Sequence, residues 1–281
     1  QEQAFLDGPT EDLIKMVDAY AASQKRRVPD DALQFAKDKG FLSLQIDKQY
    51  GGNPVSTLAK SSVMAKLGGT SGVINSIVVI ANSLGAAELL GHYGTEQQKN
   101  HFLPKLASGE FIPCFGLTEP TAGSDAASIK AEGIVFKDTD GEIKLKLNFR
   151  KRYITLAPIA NLVSLAVVVQ DPENLLGKGQ DVGITVVLIE VGEGVEGLHI
   201  GDHHQPIGDA FPNGPITGKD VIVPASDILG GVEQAGKGWK MLMEALAGGR
   251  MVSLPATGVF GIRNAAMCAG AYSMTREQFG I

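Results

Sequence analysis

The hydrophobic period changes twice along the 281 residues, and that double change limits the fold more than any single motif does. Before Pro113 the spacing is helical. Thr10 is placed to cap a segment that carries Leu13, Val17, Tyr20 and Ala21 on one face, and a second helix is predicted to follow Pro29 and stop at Gly40. Thr95 with Gln98 three positions later is a capping-box pattern, ahead of a helix that Pro104 is expected to limit or kink.

Past Pro113 the period shortens to two. Ile143, Leu145, Leu147 and Phe149 alternate with Lys144, Lys146 and Asn148, as a half-buried strand requires, and Asp140-Gly141 just before them signals a hairpin turn. "LVSLAVVV" from Leu162 and "ITVVLIE" from Ile184 read as more deeply buried strands, with "GLHIG" and "KDVIVP" as shorter ones. After the Gly-rich stretch 230–238 the helical spacing returns at Trp239, Leu242, Met243 and Leu246. A further helix is expected after Pro255, with Ile262, Ala266, Ala269 and Tyr272 on one stripe. The prediction is an α+β fold: a helical domain over 1–113, an antiparallel β domain over 114–229, and the start of an incomplete helical domain over 230–281. Two terminal helices bury such faces poorly, so partners are expected from further chain or another subunit.

Composition then excludes several function classes. With 44% hydrophobic and 20% charged residues the chain is neither disordered nor fibrous. A net charge of −6, and no basic cluster beyond Lys25–Arg27, argue against nucleic-acid binding. Cys114 and Cys268 stand far apart, without zinc spacing, and are expected as buried packing residues of a reduced, cytoplasmic protein. The apolar run from Ile74 is interrupted by Asn75, Ser76, Asn82 and Ser83, which favours buried helices over a membrane span. No signal-peptide pattern opens the chain, and neither end has the look of a natural terminus. No metal site is expected: His203-His204 is the only adjacent histidine pair, and strand neighbours point to opposite faces. There is no Walker loop, no strand-linked GxGxxG and no GxSxG elbow.

Two stretches remain. In "FGLTEPTAGSD", residues 115–125, the hydroxyls of Thr118, Thr121 and Ser124 and the amides around Gly123 are suited to a diphosphate or a polar heteroaromatic edge. In "KRYITLAPIAN" from Lys151, Tyr153 is suited to lie against a ring with Thr155 beside it. Local chemistry leaves a second account open, in which the first stretch is an ordinary polar loop and Tyr153 a core residue.

"FGLTEPTAGSD" resembles the signature of the acyl-CoA dehydrogenase family and stands where that family has it, after a helical domain ending in "YGTEQQKNHFLPKLASGE". "KRYIT" resembles the family's second flavin segment, with Tyr153 where Trp is more frequent, and "GAYSMTREQFG" resembles the helix that approaches a neighbouring subunit's flavin. "FLDGP", "KRYITLAPIA", "NGPITGKDV" and "DPENLLG" are most similar to the bacterial long-chain, fatty-acid-degrading members. The resemblance implies FAD-dependent α,β-desaturation of fatty acyl-CoA in β-oxidation, reoxidation by an electron-transferring flavoprotein, and a homodimer or homotetramer, with possible peripheral membrane attachment. It also implies residue roles. Phe115, Leu117, Thr118, Gly123 and Ser124 would follow one side of FAD, and Tyr153, Ile154 and Thr155 the other. Arg276, Gln278 and Phe279 would reach the partner's FAD; Ser124, Leu246, Ala247, Gly249 and Arg250 would contact the acyl-CoA. Ala247 departs from the acidic residue frequent at its position. The usual base is expected beyond Ile281, and its alternative position is Gly249, so the 281 residues alone are expected not to desaturate acyl-CoA at a normal rate. Glu119, before Pro120, is expected to be structural, and Glu244 to face away from the apolar stripe or lie at its edge. An acyl-CoA oxidase and a non-catalytic FAD- or acyl-CoA-binding fragment are the competing readings.

Overall fold

The computed structural model describes residues 1–69, 72–83, 85–192, 194–204 and 210–280. Eight helices come first: α1 (Glu2–Asp7), α2 (Pro9–Met16), α3 (Ala19–Lys25), α4 (Asp30–Asp38), α5 (Thr57–Gly68), α6 (Gly72–Ser83), α7 (Ala86–Tyr93) and α8 (Glu96–Ser108). The segment expected to run as one helix from Thr10 through Ala21 is two. The backbone leaves the helix at Val17, and Asp18 accepts the Ala21 N–H at 2.9 Å to start α3. That local cap competes with continuation, and Tyr20 is left 76% exposed while Leu13 and Val17 stay buried. Thr10 does not cap; its hydroxyl donates to the Phe5 carbonyl. Helix α4 follows Pro29 and ends before Gly40, whose φ of +75° needs the missing Cβ.

The apolar run from Ile74 lies inside the protein, with α6 buried along most of its length. Helix α8 has the expected capping box, and Pro104 sits within it without ending it. Gln98 also has a tertiary role: its amide donates to the Ser226 and Ile228 carbonyls at 2.9 and 2.8 Å and accepts the Gly230 N–H at 2.9 Å. One side chain thereby caps a helix and ties it to the end of the β domain.

Seven strands form one sheet: β1 (Pro113–Gly116), β2 (Glu132–Lys137), β3 (Ile143–Thr155), β4 (Leu162–Gln170), β5 (Asp181–Glu190), β6 (Leu198–Ile200) and β7 (Asn213–Pro224). Leu145, Leu147 and Phe149 of β3 face inward, and Gly141 at φ +86° makes the β2–β3 turn. The β domain is mixed rather than wholly antiparallel. β1 runs parallel to the first half of β4 and β2 parallel to its end, while β5 pairs antiparallel along β4. The reason is the order of connections: the β2–β3 hairpin intervenes between β1 and β4, so β4 returns in β1's direction.

The terminal helices depart furthest from expectation. α9 (Gly238–Met241) passes through a π turn at Leu242–Leu246 into α10 (Ala247–Ser273), a single 27-residue helix with Pro255 inside it. Pro255 and Met251, four residues before it, both lie on the exposed side, so the carbonyl that the proline ring leaves unpaired faces water. The π turn shifts the helical register, and Met243 is exposed although Met241 and Leu242 are buried. α10 packs on α5 and α6 through Ser253, Ala256 and Phe260, and Asn264 donates to the Gly69 carbonyl. Ile262 is exposed, and beyond Asn264 every described side chain is, Tyr272 included and with it Cys268, expected inside; Cys114 is buried.

Candidate functional site

A cavity of about 600 Å³ opens where the start of the β domain meets α6 and the α9–α10 path. Its polar wall comes from the loop after β1. Phe115, Leu117, Thr118, Gly123, Ser124 and Ala126 line it, and a Cβ added at Gly123 would meet nothing within 4 Å, so the backbone there is open to a ligand. A tight turn shapes the loop: Glu119 and Ala122 exchange both backbone hydrogen bonds, at 3.0 and 3.2 Å.

Glu119 holds that turn to the sheet. Its carboxylate accepts the Lys130 and Ala131 N–H groups at 2.7 and 3.0 Å and the Lys151 ammonium at 2.8 Å, and Lys151 also donates to the Leu117 carbonyl at 3.0 Å. Lys151 is 0% exposed and Glu119 6%. Burial alone would raise the Glu119 carboxyl, but the ammonium and the two backbone donors outweigh it and hold it below the usual range. All its strong contacts are internal, as a structural acid's are.

The opposite wall is a strained turn at the end of β3. Pairing with β7 shifts register between Lys151 and Ile154, and Tyr153 takes a φ of +57°, Leu156 +67°. A non-glycine residue in that region costs about 1–3 kcal/mol and persists only where its surroundings fix it. Here the fixing group is Asn213, buried on β7, whose amide reaches the Tyr153 carbonyl at 3.3 Å and the Thr155 hydroxyl at 3.4 Å. The strain turns the Tyr153 ring outward, 50% exposed, between the Arg152 guanidinium and the edge of the His204 ring. Tyr153, Ile154 and Thr155 all line the cavity, and the buried Asn213 Oδ1 and His204 Nδ1 have no hydrogen-bond partner among the described residues.

Ile80, Trp239, Leu242, Met243 and Arg250 complete the lining. The first four read in sequence as ordinary helix residues. Nothing local separates a helix face that meets the core from one that meets a cavity, so periodicity had no signal for them.

The structure therefore gathers nine of the sequence-derived residues at one cavity: Phe115, Leu117, Thr118, Gly123, Ser124, Tyr153, Ile154, Thr155 and Arg250. It separates others. Ala247 and Gly249 do not line the cavity; Gly249 is buried against α6 and α7, and the Leu246 side chain lies outside the described residues. Arg276, Gln278 and Phe279 stand at the exposed end of the chain, away from the cavity. Glu244 is exposed and accepts the Tyr93 hydroxyl at 2.7 Å. Among the described residues no three His, Cys, Asp or Glu side chains converge as metal ligands.

Comparison with known proteins matches both domains described above. Residues 5–110 match the acyl-CoA dehydrogenase N-terminal domain and residues 114–221 its middle domain. The Bacillus subtilis protein described as probable acyl-CoA dehydrogenase YngJ is 32% identical over 264 residues, 93% of this chain and 65% of that protein. The short-chain specific acyl-CoA dehydrogenase of Clostridium acetobutylicum is 29% identical, with the same two coverages. The chain thus spans less than two thirds of the length of these relatives. Butyryl-CoA dehydrogenase from Megasphaera elsdenii superposes with a TM-score of 0.82 at 25% identity, covering 100% of this chain and 70% of that one. By sequence and by fold, the chain belongs to the acyl-CoA dehydrogenase family.

Proposed function

We propose that the protein holds FAD against the Thr118–Ser124 loop and the Tyr153 turn, and with it desaturates fatty acyl-CoA thioesters between Cα and Cβ. The observation that carries the proposal is the meeting of the two segments at one cavity of about 600 Å³, within the range of cofactor sites. The residues fit such a group. The open backbone at Gly123 with the Thr118 and Ser124 hydroxyls suits a diphosphate or the polar edge of a flavin, and the outward ring of Tyr153 suits its planar face. When bound, FAD supplies hydride acceptance.

The protein's own part is to bind, orient and exclude water. Ile80, Leu242 and Met243 give the cavity an apolar wall, which strengthens any hydrogen bond aimed at a thioester carbonyl and so favours loss of the α-proton. Arg250 lines the same space and suits the anionic end of the CoA moiety. A long acyl chain is proposed from the similarity of "FLDGP", "NGPITGKDV" and "DPENLLG" to long-chain members, although the Clostridium relative is named short-chain specific. An electron-transferring flavoprotein is the proposed oxidant. Self-association would bring Arg276, Gln278 and Phe279 to a second subunit's site.

The test is spectroscopic. The purified full-length protein should carry a flavin absorbance band that bleaches anaerobically with palmitoyl-CoA faster than with butyryl-CoA, and the product should be the 2-enoyl thioester. Reversal of that order refutes the long-chain reading; peroxide release in air points to an oxidase; absence of flavin from protein refolded with FAD refutes the assignment as a whole.

A further inference from the structure

Lys151 is wholly buried and does not line the cavity, yet it stands behind both of the cavity's polar walls. It lies on β3 where the register shift that turns Tyr153 outward begins, and its stem runs past Gly116, where a Cβ would come within 3.6 Å of Lys151 Cγ. From there the ammonium reaches the loop after β1. It donates to Glu119 Oε1 at 2.8 Å, which balances its charge, and to the Leu117 carbonyl at 3.0 Å, which fixes a peptide plane.

The Leu117–Thr118 peptide is trans and planar, so its carbonyl and its N–H point in opposite directions. With the carbonyl turned inward to Lys151, the Thr118 N–H points away from the ammonium, in a loop whose Leu117 and Thr118 line the cavity. The adjoining groups are engaged: the Thr118 carbonyl accepts the Arg152 N–H at 2.9 Å, and the Glu119 N–H donates to the Ala122 carbonyl at 3.0 Å. The Thr118 N–H has no partner among the described residues. A peptide whose carbonyl accepts a bond from a cation is polarised, and its N–H becomes a stronger donor.

Resting on the FAD reading above, we propose that Lys151 is a positioning residue for the cofactor: by holding and polarising the Leu117–Thr118 peptide, it presents the Thr118 N–H to the polar edge of the flavin ring. That edge gains negative charge when the ring takes up two electrons, so the donor favours the reduced form. A lysine in contact with the ligand would place a full charge there. Working through a peptide, with Glu119 balancing it, Lys151 supplies a directed dipole instead.

Two pairs of variants of the full-length protein test this, read by fluorescence titration of FAD and by the midpoint potential of the bound flavin, which a loss of stability alone does not move at saturating FAD. Glu119→Gln keeps the Lys151 donation to Leu117, whereas Glu119→Gln with Lys151→Met removes it without leaving a buried charge unpaired. Relative to the first, the second should bind FAD about tenfold more weakly, the worth of one charge-assisted hydrogen bond. Its potential should be lower by about 30 mV, a tenfold loss of preference for the reduced ring in a two-electron couple. Thr118→Pro deletes the N–H and leaves the ion pair in place. Against Thr118→Val, which loses the hydroxyl alone, it should show a drop of the same size, and this comparison does not depend on the folding of the double variant. Equal potentials within either pair overturn the role of Lys151 and leave the FAD reading intact. Wild-type protein that takes up no FAD overturns that reading itself, and the role of Lys151 with it.

Discussion

Glu119→Ala should destabilise the protein by about 4 kcal/mol, because breaking a buried ion pair from one side leaves an uncompensated charge. The structure sets that size. Lys151 is fully buried and would keep the Leu117 carbonyl as its one remaining acceptor, while the Lys130 and Ala131 N–H groups lose theirs. The three losses share one site and do not add, so the estimate stays at the scale of one broken pair. For a chain of this length that corresponds to about 10 °C in Tm. Two dependences on pH follow. The wild-type Glu119 carboxyl lies below its unfolded value, so its contribution is complete above the unfolded carboxyl range near ~4.3 and is lost as pH falls through the folded value. In Glu119→Ala the burial that already depresses the Lys151 ammonium acts without opposition, so the deficit should be largest near neutral pH and shrink toward pH ~10 as the amine sheds its proton in both states. Urea unfolding followed by far-UV circular dichroism measures the effect, and a double-mutant cycle identifies its origin. Glu119→Gln with Lys151→Met removes both charges, and should recover about 2 kcal/mol relative to the sum of the single changes. A loss under ~1 kcal/mol in Glu119→Ala, or a double variant equal to that sum, would refute the reasoning.

Asn213→Leu, which keeps the volume but removes the amide that steadies Tyr153 and Thr155, should weaken FAD binding about tenfold by fluorescence titration, the worth of one to two hydrogen bonds; unchanged affinity would show that the turn holds itself. Asp227 has its carboxyl pushed up to about 6 by burial and by the Glu190 carboxylate. The folded value lies above the unfolded one, so Asp227 is most favourable below pH ~4 and loses that advantage as pH rises through about 6. Asp227→Asn should therefore gain stability above pH 6, by about 1 kcal/mol after allowance for its partial exposure, and gain nothing below pH 4, as pH-dependent melting would show. Ile262→Lys with Met267→Lys, on the exposed face of α10, should leave thermal stability within about 0.5 kcal/mol yet reduce self-association in analytical ultracentrifugation. A matching loss of stability would place that face in the folded core.

What the sequence announced and what it concealed differ by the range of the causes. The capping box at Thr95 and the alternation from Ile143 to Phe149 are settled within a few residues, and both stand in the structure where the sequence places them. The break at Val17 is also local, but two local signals compete there, and the cap offered by Asp18 wins over the continuing apolar period. The direction of β1 against β4 depends on an intervening hairpin, and no pattern within either strand encodes it. The long α10 passes through Pro255 because the carbonyl the ring frees belongs to Met251 on the same exposed side, a fact about how the helix packs rather than about proline.

The site follows the same division. Its polar half was legible because one short stretch, residues 115–125, concentrates hydroxyls, glycine and a turn, and such a concentration has few uses besides holding a polar group. Its apolar half, Ile80, Trp239, Leu242 and Met243, was not, because those residues satisfy the helix period whether they face a core or a cavity. Glu88, which does not line the cavity, shows the same limit elsewhere in the fold. In sequence it is one acid in the first turn of a helix, where a negative charge is favoured by the dipole and needs no further account. Only when α10 lays Gly249 across it does Oε2 of that half-buried carboxylate become buried and, among the described residues, unpartnered, and this arises from two positions 161 residues apart, neither of which carries a signal alone.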